Sequence, residues 1–353
     1  MEVKHWSFPE IEQFRNAIFN VKYKAQYAGR DLNDQPIQDE RLPLPILNYR
    51  GTVKLHGTNA GIVFTPDDNG VYGIHAQSRE NIITPQKDNA GFATFAHTKP
   101  VHELLSLITI DGEVNDIESE LPVIKVFGEW CGKGIQAKVG ITKLDKMFVI
   151  FAVKVGDVWL AEEELKLVKL PEHKIYNICD YPSFRITIDF NNPKEAADKM
   201  AELVTNVEKE CPVAKAFGVE GIGEGIVWTC VDKGWTESRF WFKTKGLEHS
   251  LKTSNKEKVP VDIEKINSVN EFINEYVSEN RLSQGLDKLR ENNLELDIKN
   301  IGFFLKWVYN DIIKEELDTI VANNLEPKDL GSPISNKARP WFMDKLNGKA
   351  GIQ

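Results

Sequence analysis

Lys54 lies in the run Lys54-Leu55-His56-Gly57-Thr58-Asn59, which sets an amine beside an imidazole and small polar side chains. A neutral lysine amine can attack an electrophilic centre, but a free lysine is protonated at pH 7. It needs burial or neighbouring positive charge to lose that proton. The flanking residues read as strand, tight turn and strand. Val53 and Leu55 face one side of the first strand, Lys54 and His56 the other. Gly57 permits a sharp reversal, and Thr58 and Asn59 suit a turn. Ala60, Ile62 and Phe64 then alternate along a returning strand. A lysine is thus expected at a strand end beside a glycine turn, a good place for a nucleophile.

Further chemistry-bearing runs follow in order. They are Gln77-Ser78-Arg79, then Val126-Phe127-Gly128-Glu129-Trp130-Cys131-Gly132-Lys133-Gly134-Ile135-Gln136, then Phe148-Val149-Ile150-Phe151-Ala152. Glu224-Gly225-Ile226-Val227 and Phe242-Lys243-Thr244-Lys245 complete the series. Together with the lysine run, they resemble the successive motifs of the covalent nucleotidyltransferase superfamily of ligases and capping enzymes. His56, where other members carry an acid, resembles the RNA ligase 2 family. That family includes the second RNA ligase of T-even phages and the kinetoplastid RNA-editing ligases. The resemblance covers the region from Lys54 to Lys245 and is thinner beyond it, where Ala338-Arg339-Pro340-Trp341 is similar to the phage enzyme.

The resemblance implies a role for each matched residue. Lys54 would attack the α-phosphate of ATP and carry AMP as a phosphoramidate. Glu129, at a strand end, would accept a hydrogen bond from a ribose hydroxyl. Phe151 would stack on adenine, an interaction worth ~1–3 kcal/mol, with Val227 on the opposite side of the base. Asn59 falls in the same nucleotide-binding set. Glu224 would help hold a divalent metal, Mg²⁺ or Mn²⁺. Lys243 and Lys245, two apart on a strand, point the same way; they would grip the α-phosphate and help keep Lys54 deprotonated. Arg79 would contact the phosphate being joined, and His56 would serve the sealing step. Two positions depart from the family pattern: Val53, where the phage enzyme has an acid before the lysine, and Ala152, where Asp is frequent.

The elements that must position these residues are legible in outline. Phe8 to Phe19 carry helical spacing at Ile11, Phe14 and Ile18, with Pro9 in the first turn. Arg30 to Pro45 reads as a loop. Asp67-Asp68-Asn69-Gly70 is a turn, after which Val71 to Ser78 delivers Arg79. A helix is expected from about Phe92. Pro122 to Trp130 alternates as a strand, and Met147 to Val155 reads as a buried central one. Phe184 to Phe190 is strand-like, and Asn192-Pro193 caps and starts a helix with Ala197, Met200, Ala201, Leu203 and Val204 as its apolar face. Gly221 to Trp228 and Arg239 to Thr244 read as further strands.

Near Pro260 the pattern changes. Ser268-Val269-Asn270-Glu271 is a capping box. Val269, Phe272, Ile273, Tyr276 and Val277 follow helical spacing, as do Phe304, Leu305, Val308, Tyr309, Ile312 and Ile313; Pro340 interrupts the last segment. The expected fold is therefore α+β: a nucleotidyltransferase domain with an ATP-grasp-like antiparallel β-sheet over residues 1–255, then a small all-α domain over 259–353 for RNA engagement, joined through Lys256 to Pro260.

At 353 residues the chain has room for two or three domains. No apolar run approaches ~20 residues, so no membrane span is expected, and the first residues lack the apolar core of a signal peptide. Cys131, Cys179, Cys211 and Cys230 are widely spaced, which disfavours a zinc cluster and suits free thiols in a reducing cytoplasm. The net charge of −9 argues against coating nucleic acid non-specifically. The lysines at 243, 245, 252, 256 and 258 could still form a local basic strip or simply a solvated face.

The function so implied is an ATP-dependent RNA ligase, monomeric and cytoplasmic. It would join RNA 3′-hydroxyl and 5′-phosphate ends, in a nicked duplex, through lysyl-AMP and an adenylylated RNA end. A DNA ligase or capping enzyme would share the lysine and later motifs, but His56 and a helical tail in place of a β-barrel domain speak against both. A non-catalytic nucleic-acid-binding relative is supported by Val53 and Ala152 alone.

Overall fold

The computed structural model describes residues 3–108, 121–136, 139–245, 269–316, 320 and 325–350. They fall into two units, one before residue 247 (Pro85–Asn89 apart) and one after it. In chain order the first unit opens with β1 (Glu12–Gln13), α1 (Phe14–Ala25), β2 (Tyr27–Arg30), β3 (Pro36–Gln38), β4 (Ile46–Lys54), β5 (Thr58–Pro66), β6 (Tyr72–Ser78) and β7 (Ile82–Ile83). It continues with α2 (Phe92–Ala96), α3 (Lys99–Glu103), β8 (Ile124–Cys131), β9 (Met147–Val155), β10 (Val158–Trp159), α4 (Glu162–Leu165) and β11 (Ile175–Asn177). It ends with β12 (Ser183–Asp189), α5 (Lys194–Lys209), α6 (Pro212–Ala216), β13 (Gly225–Cys230) and β14 (Phe242–Lys245).

Two mainly antiparallel sheets organise this unit. One has the order β1-β14-β13-β4-β12; the other runs β10-β9-β8-β5-β6-β7, with β11 also paired to β9. The chain crosses from the first sheet to the second at the turn between β4 and β5. The turn after Lys54 is therefore the link between the sheets as well as a hairpin-like reversal. On the first sheet, Tyr49, Val53, Ile226, Trp228 and Phe242 share a core with Ala17 and Val21 of α1 and Met200 and Val204 of α5. The alternate residues of the same strands, Thr52, Lys54, Val227, Lys243 and Lys245 among them, lie on the other face. The second sheet has its own core, in which Ile62, Phe64, Val126, Phe148 and Ile150 pack with Phe92, Ala93 and Leu104.

Local departures from the sequence reading have physical causes. The first helix begins at Phe14, not Phe8, because Glu12 and Gln13 pair with Phe242 and Lys243 as a short parallel strand. The stretch read as a loop contains the two short paired strands β2 and β3. The helix expected from Phe92 is broken into α2 and α3, with Pro100 starting the second. The glycine-rich strand starts only at Gly225, leaving Glu224 just outside the ladder.

The second unit is all-helical: α7 (Val269–Tyr276), α8 (Glu279–Glu291), α9 (Ile301–Glu315) and α10 (Pro327–Ala350). Phe272, Tyr276, Leu289, Phe304, Val308 and Ile312 form its core with Leu330, Ile334, Ala338 and Phe342. These last four recur every fourth residue along α10, which runs unbroken through Pro333 and Pro340. An interior proline costs about 3 kcal/mol, and each buried Leu, Ile or Phe contributes about 1.5–3, so the buried row holds the helix through both. The α+β unit followed by an all-α unit is as the sequence implies. The expected junction at Lys256 to Pro260, the capping residue Ser268 and lysines 252, 256 and 258 lie outside the described residues. Among the described residues no helix is long and apolar enough to cross a membrane.

Candidate active site

Lys54 is the last residue of β4, and β13 lies beside it in antiparallel register. Gly225 is opposite Lys54 on one side and opposite Lys245 of β14 on the other. Residues that face each other across an antiparallel ladder project to the same side, so the lysines flank a residue with no side chain. Gly225 cannot be larger, since a Cβ there would come within 2.2 Å of the Thr244 carbonyl oxygen. Two residues along, Val227 stands between Thr52 and Lys243 on the same face.

Glu224 reaches into this arrangement from just before β13 and is only 3% exposed. Its Oε2 lies 2.6 Å from Lys54 Nζ and 3.4 Å from His56 Nδ1, and its Oε1 lies 3.9 Å from Lys245 Nζ. One buried carboxylate thus gathers three basic side chains, two from the β4–β5 turn region and one from β14. Burial raises the carboxyl pKa, but Lys54, His56 and Lys245 outweigh it and hold Glu224 well below its ordinary range.

Lys54 shows the reverse balance. Burial pushes its pKa down, yet the Glu224 and Glu129 carboxylates win and hold it above the ordinary lysine value, with Arg79 working weakly against them. The expectation that burial and nearby cations keep Lys54 deprotonated is therefore reversed here: the nucleophile candidate is held as an ammonium by Glu224.

Glu129, two residues before the end of β8, lies opposite Asn59 of β5. Its Oε1 accepts the Gly57 backbone N–H at 2.9 Å. The Gly57 carbonyl accepts in turn from Gln136 Nε2 at 2.9 Å. A Cβ on Gly57 would come 2.4 Å from the Trp130 carbonyl oxygen. The glycine is thus required by the close approach of the turn to β8, not only by the reversal of the chain. Burial, aided by repulsion from Glu224, outweighs attraction from Lys54 and pushes Glu129 up to about 7.

Arg79 immediately follows β6 and is close enough to act electrostatically on both Lys54 and Glu129. Phe151 is the extra residue of a bulge in β9: Phe127 faces Ala152 and Gly128 faces Ile150, leaving Phe151 unpaired between them. Bulges re-aim side chains beside functional sites, and Phe151 stays half-buried where its strand neighbours Ile150 and Ala152 are buried. Ala152 is 8% exposed and faces Phe127, so a carboxylate there would need its own partner.

Lys54, His56, Glu224 and Lys245 are therefore in one cluster, with Glu129 and Arg79 around it. Val227 and Lys243 are on the same sheet face, Asn59 is beside Glu129, and Phe151 belongs to an aromatic group with Phe8. Gln136 is a contributor that sequence reasoning quoted but gave no role. Its positive φ of 61°, unusual for a non-glycine residue, marks it in the structure.

Residues 48–245, more than half of the chain, match the family model for RNA ligase. The chain belongs to the RNA ligase family. The match encloses every clustered residue from Lys54 to Lys245. No curated protein sequence matches this RNA ligase family member. Among solved structures it is similar to a Naegleria gruberi RNA ligase with pyrophosphate, at 19% identity and a TM-score of 0.42 over 69% of this chain and 58% of that one. It is also similar to lysine-substituted forms of the Naegleria enzyme. One, a Lys→Met mutant with AMP and manganese, is 16% identical with a TM-score of 0.42 over 69% and 56% of the two chains. The other, a Lys→Ala mutant with ATP and manganese, is 18% identical with a TM-score of 0.41 over 69% and 57%. The chain thus spans less than two thirds of the length of those ligases.

Proposed function

We propose that this RNA ligase family member is an ATP-dependent ligase of the RNA ligase 2 type, sealing 3′-hydroxyl and 5′-phosphate RNA ends through a lysyl-AMP intermediate. The observation that carries this reading is the placement of Lys54 at a strand end, 2.6 Å from buried Glu224 and in register with Lys245 across Gly225. In the first step Lys54 releases its ammonium proton to solvent, its neutral Nζ forms a P–N bond to the α-phosphate of ATP, and pyrophosphate leaves as the α–β anhydride breaks. An RNA 5′-phosphate oxygen then displaces the lysine and takes the AMP. Finally an RNA 3′-hydroxyl attacks that 5′-phosphate and AMP departs.

Each residue has work to do in this scheme. Lys245 and Lys243, on the Lys54 face of the sheet, meet negative charge on the transferring phosphate. Glu129 holds the Gly57 turn through one oxygen and can accept a ribose hydroxyl through the other. Phe151 and Val227 supply the walls for adenine, Asn59 lies beside the Glu129 carboxylate, and Arg79 meets the RNA phosphate. His56 shares Glu224 with Lys54 and serves the sealing step. Most of the rate enhancement would come from positioning and preorganised charge.

The donor set fits a divalent cation only with help from substrate. Among the described residues no group of three or more His, Cys, Asp or Glu side chains converges on a point, so Glu224 would hold Mg²⁺ or Mn²⁺ together with phosphate oxygens, the pattern usual for Mg²⁺. Such a cation would neutralise phosphate charge and compete with the Lys54 ammonium for Glu224.

Incubation with labelled ATP or GTP, followed by denaturation, tests the first step. ATP-dependent covalent label is expected; label from GTP alone would indicate a capping enzyme, and none from either a non-catalytic relative. A nick-sealing assay across RNA and DNA strand combinations then tests the substrate.

A further inference from the structure

Residues 3–10 carry none of the matched motifs, yet they reach Phe151. The Trp6 backbone N–H donates to Gln77 Oε1 at 3.0 Å, and Gln77 Nε2 donates back to the Trp6 carbonyl. His5 Nε2 lies 3.1 Å from the Ser78 carbonyl oxygen. Gln77 is 2% exposed and is the second-last residue of β6, two before Arg79. A buried side chain that spends both its donor and its acceptor on one backbone residue is an anchor. It fixes this segment against the sheet as a strap.

Two residues past the anchor, the Phe8 ring enters an aromatic group. Its centroid is 4.9 Å from that of Phe151 at 65°, 5.1 Å from Phe127, 5.8 Å from Trp159 and 6.2 Å from Trp241. Among the described residues Phe8 is the aromatic partner of Phe151, and the contact is near-perpendicular, so no ring lies stacked on Phe151 in parallel. Phe151 is itself the unpaired residue of the β9 bulge. The ladder does not hold it as it holds its neighbours, and its ring direction depends on what abuts it.

We propose that Phe8, held by the Trp6–Gln77 clasp, is the positioning residue that sets the Phe151 ring for stacking on the nucleobase of ATP. The N-terminal strap is thereby part of the nucleotide site. This rests on the reading that Phe151 stacks on adenine. Phe8 acts through Phe151 and takes no part in the phosphate chemistry, so its loss should weaken nucleotide binding and leave the chemical step alone.

The test is the kinetics of AMP-adduct formation by the full chain over a range of ATP concentrations. In Phe8→Ala, KM for ATP should rise about tenfold, within what stacking on one base can supply, with kcat changed by less than about twofold. Phe8→Tyr, which keeps the ring, should restore KM. Phe8→Leu, which keeps apolar bulk, guards against a folding failure and should fall between the two. Gln77→Ala, which releases the strap without touching the aromatic group, should raise KM like Phe8→Ala. The decisive arm is the double variant Phe8→Ala/Phe151→Ala. If Phe8 acts through Phe151, its KM should equal that of Phe151→Ala alone. Additive losses, an unchanged KM in Phe8→Ala, or a fall in kcat that Phe8→Tyr does not restore would each overturn the proposal while leaving the ligase reading intact. A wild-type chain that forms no AMP adduct would overturn both.

Discussion

Lys54 Nζ and Glu224 Oε2 lie 2.6 Å apart, and the lysine pKa is held above its ordinary value while that of the glutamate is held far below. The residue placed to act as nucleophile is therefore also one half of an ion pair, and removing it has two separable consequences. Lys54→Arg keeps a cation beside Glu224 but cannot supply a neutral nucleophile. It should retain a Tm near that of the wild type and form no AMP adduct. Lys54→Ala should also form no adduct, and should lose ~1–3 kcal/mol of stability because Glu224 keeps only His56 and Lys245. Thermal melts beside the labelled-ATP assay check both; an adduct in either variant would remove Lys54 from its role.

Glu224→Gln should separate amine reactivity from catalysis. With the carboxylate gone, burial dominates and the Lys54 pKa falls. Labelling of Lys54 by an amine-selective acylating reagent at about pH 8, without nucleotide, should then be faster than in the wild type. Adduct formation from ATP should nevertheless drop at least about a hundredfold, since the carboxylate proposed to hold the cation is lost. Slower acylation of the variant would contradict the raised pKa.

Glu129 supplies a pH dependence of opposite sign to that of most carboxylates. Its folded pKa of about 7 lies above its ordinary value of 4.5. The folded state therefore binds more protons than the unfolded chain between those values. The stability so contributed is full below the unfolded pKa and is lost as pH rises through about 7. Glu129→Gln should be free of this loss, so its Tm relative to wild type should climb between about pH 5 and about pH 8. A Tm difference that stays flat across that window would show that Glu129 is not desolvated as described. The same variant should depress adenylation if the carboxylate also holds the ribose.

His56 shares Glu224 with Lys54 at 3.4 Å but is not placed to be the nucleophile. His56→Ala should retain measurable AMP-adduct formation while sealing pre-adenylylated RNA at least about tenfold more slowly, the scale of a positioned group in a single step. Normal sealing of pre-adenylylated RNA by this variant would exclude the assignment.

A chain of residues 1–258 should form the AMP adduct yet seal a nicked RNA duplex poorly. Every clustered residue precedes Gly246, and the helical unit has its own core of Phe272, Phe304, Val308 and Phe342. Holding two strand ends in line needs surface beyond the nucleotide site. Gel assays of the two steps on the same preparation separate the outcomes, and full nick sealing by the shortened chain would assign the helices another role.

The sequence by itself determined the order and type of the candidate site residues. Lys54 before a glycine turn, Glu129 at a strand end and Lys243 with Lys245 on one strand face follow from alternation and turn chemistry, which are local. It also showed the change to helical spacing beyond residue 260, because Phe272, Tyr276, Phe304 and Val308 recur at intervals that one buried helix face requires. What only the tertiary structure decided depends on strand register and close approach between distant segments. No spacing rule places Gly225 between Lys54 and Lys245, or brings Gln136 onto the Gly57 carbonyl. The bulge that frees Phe151 is equally invisible, since an extra residue in β9 exists only relative to its partner β8. The same holds for Phe8, whose helical spacing with Ile11 was overruled when Glu12 and Gln13 paired with β14. The charge state of Lys54 was decided last of all. Burial alone would have lowered its pKa, and the direction turned on a carboxylate 170 residues away in the chain, within hydrogen-bonding distance in the fold.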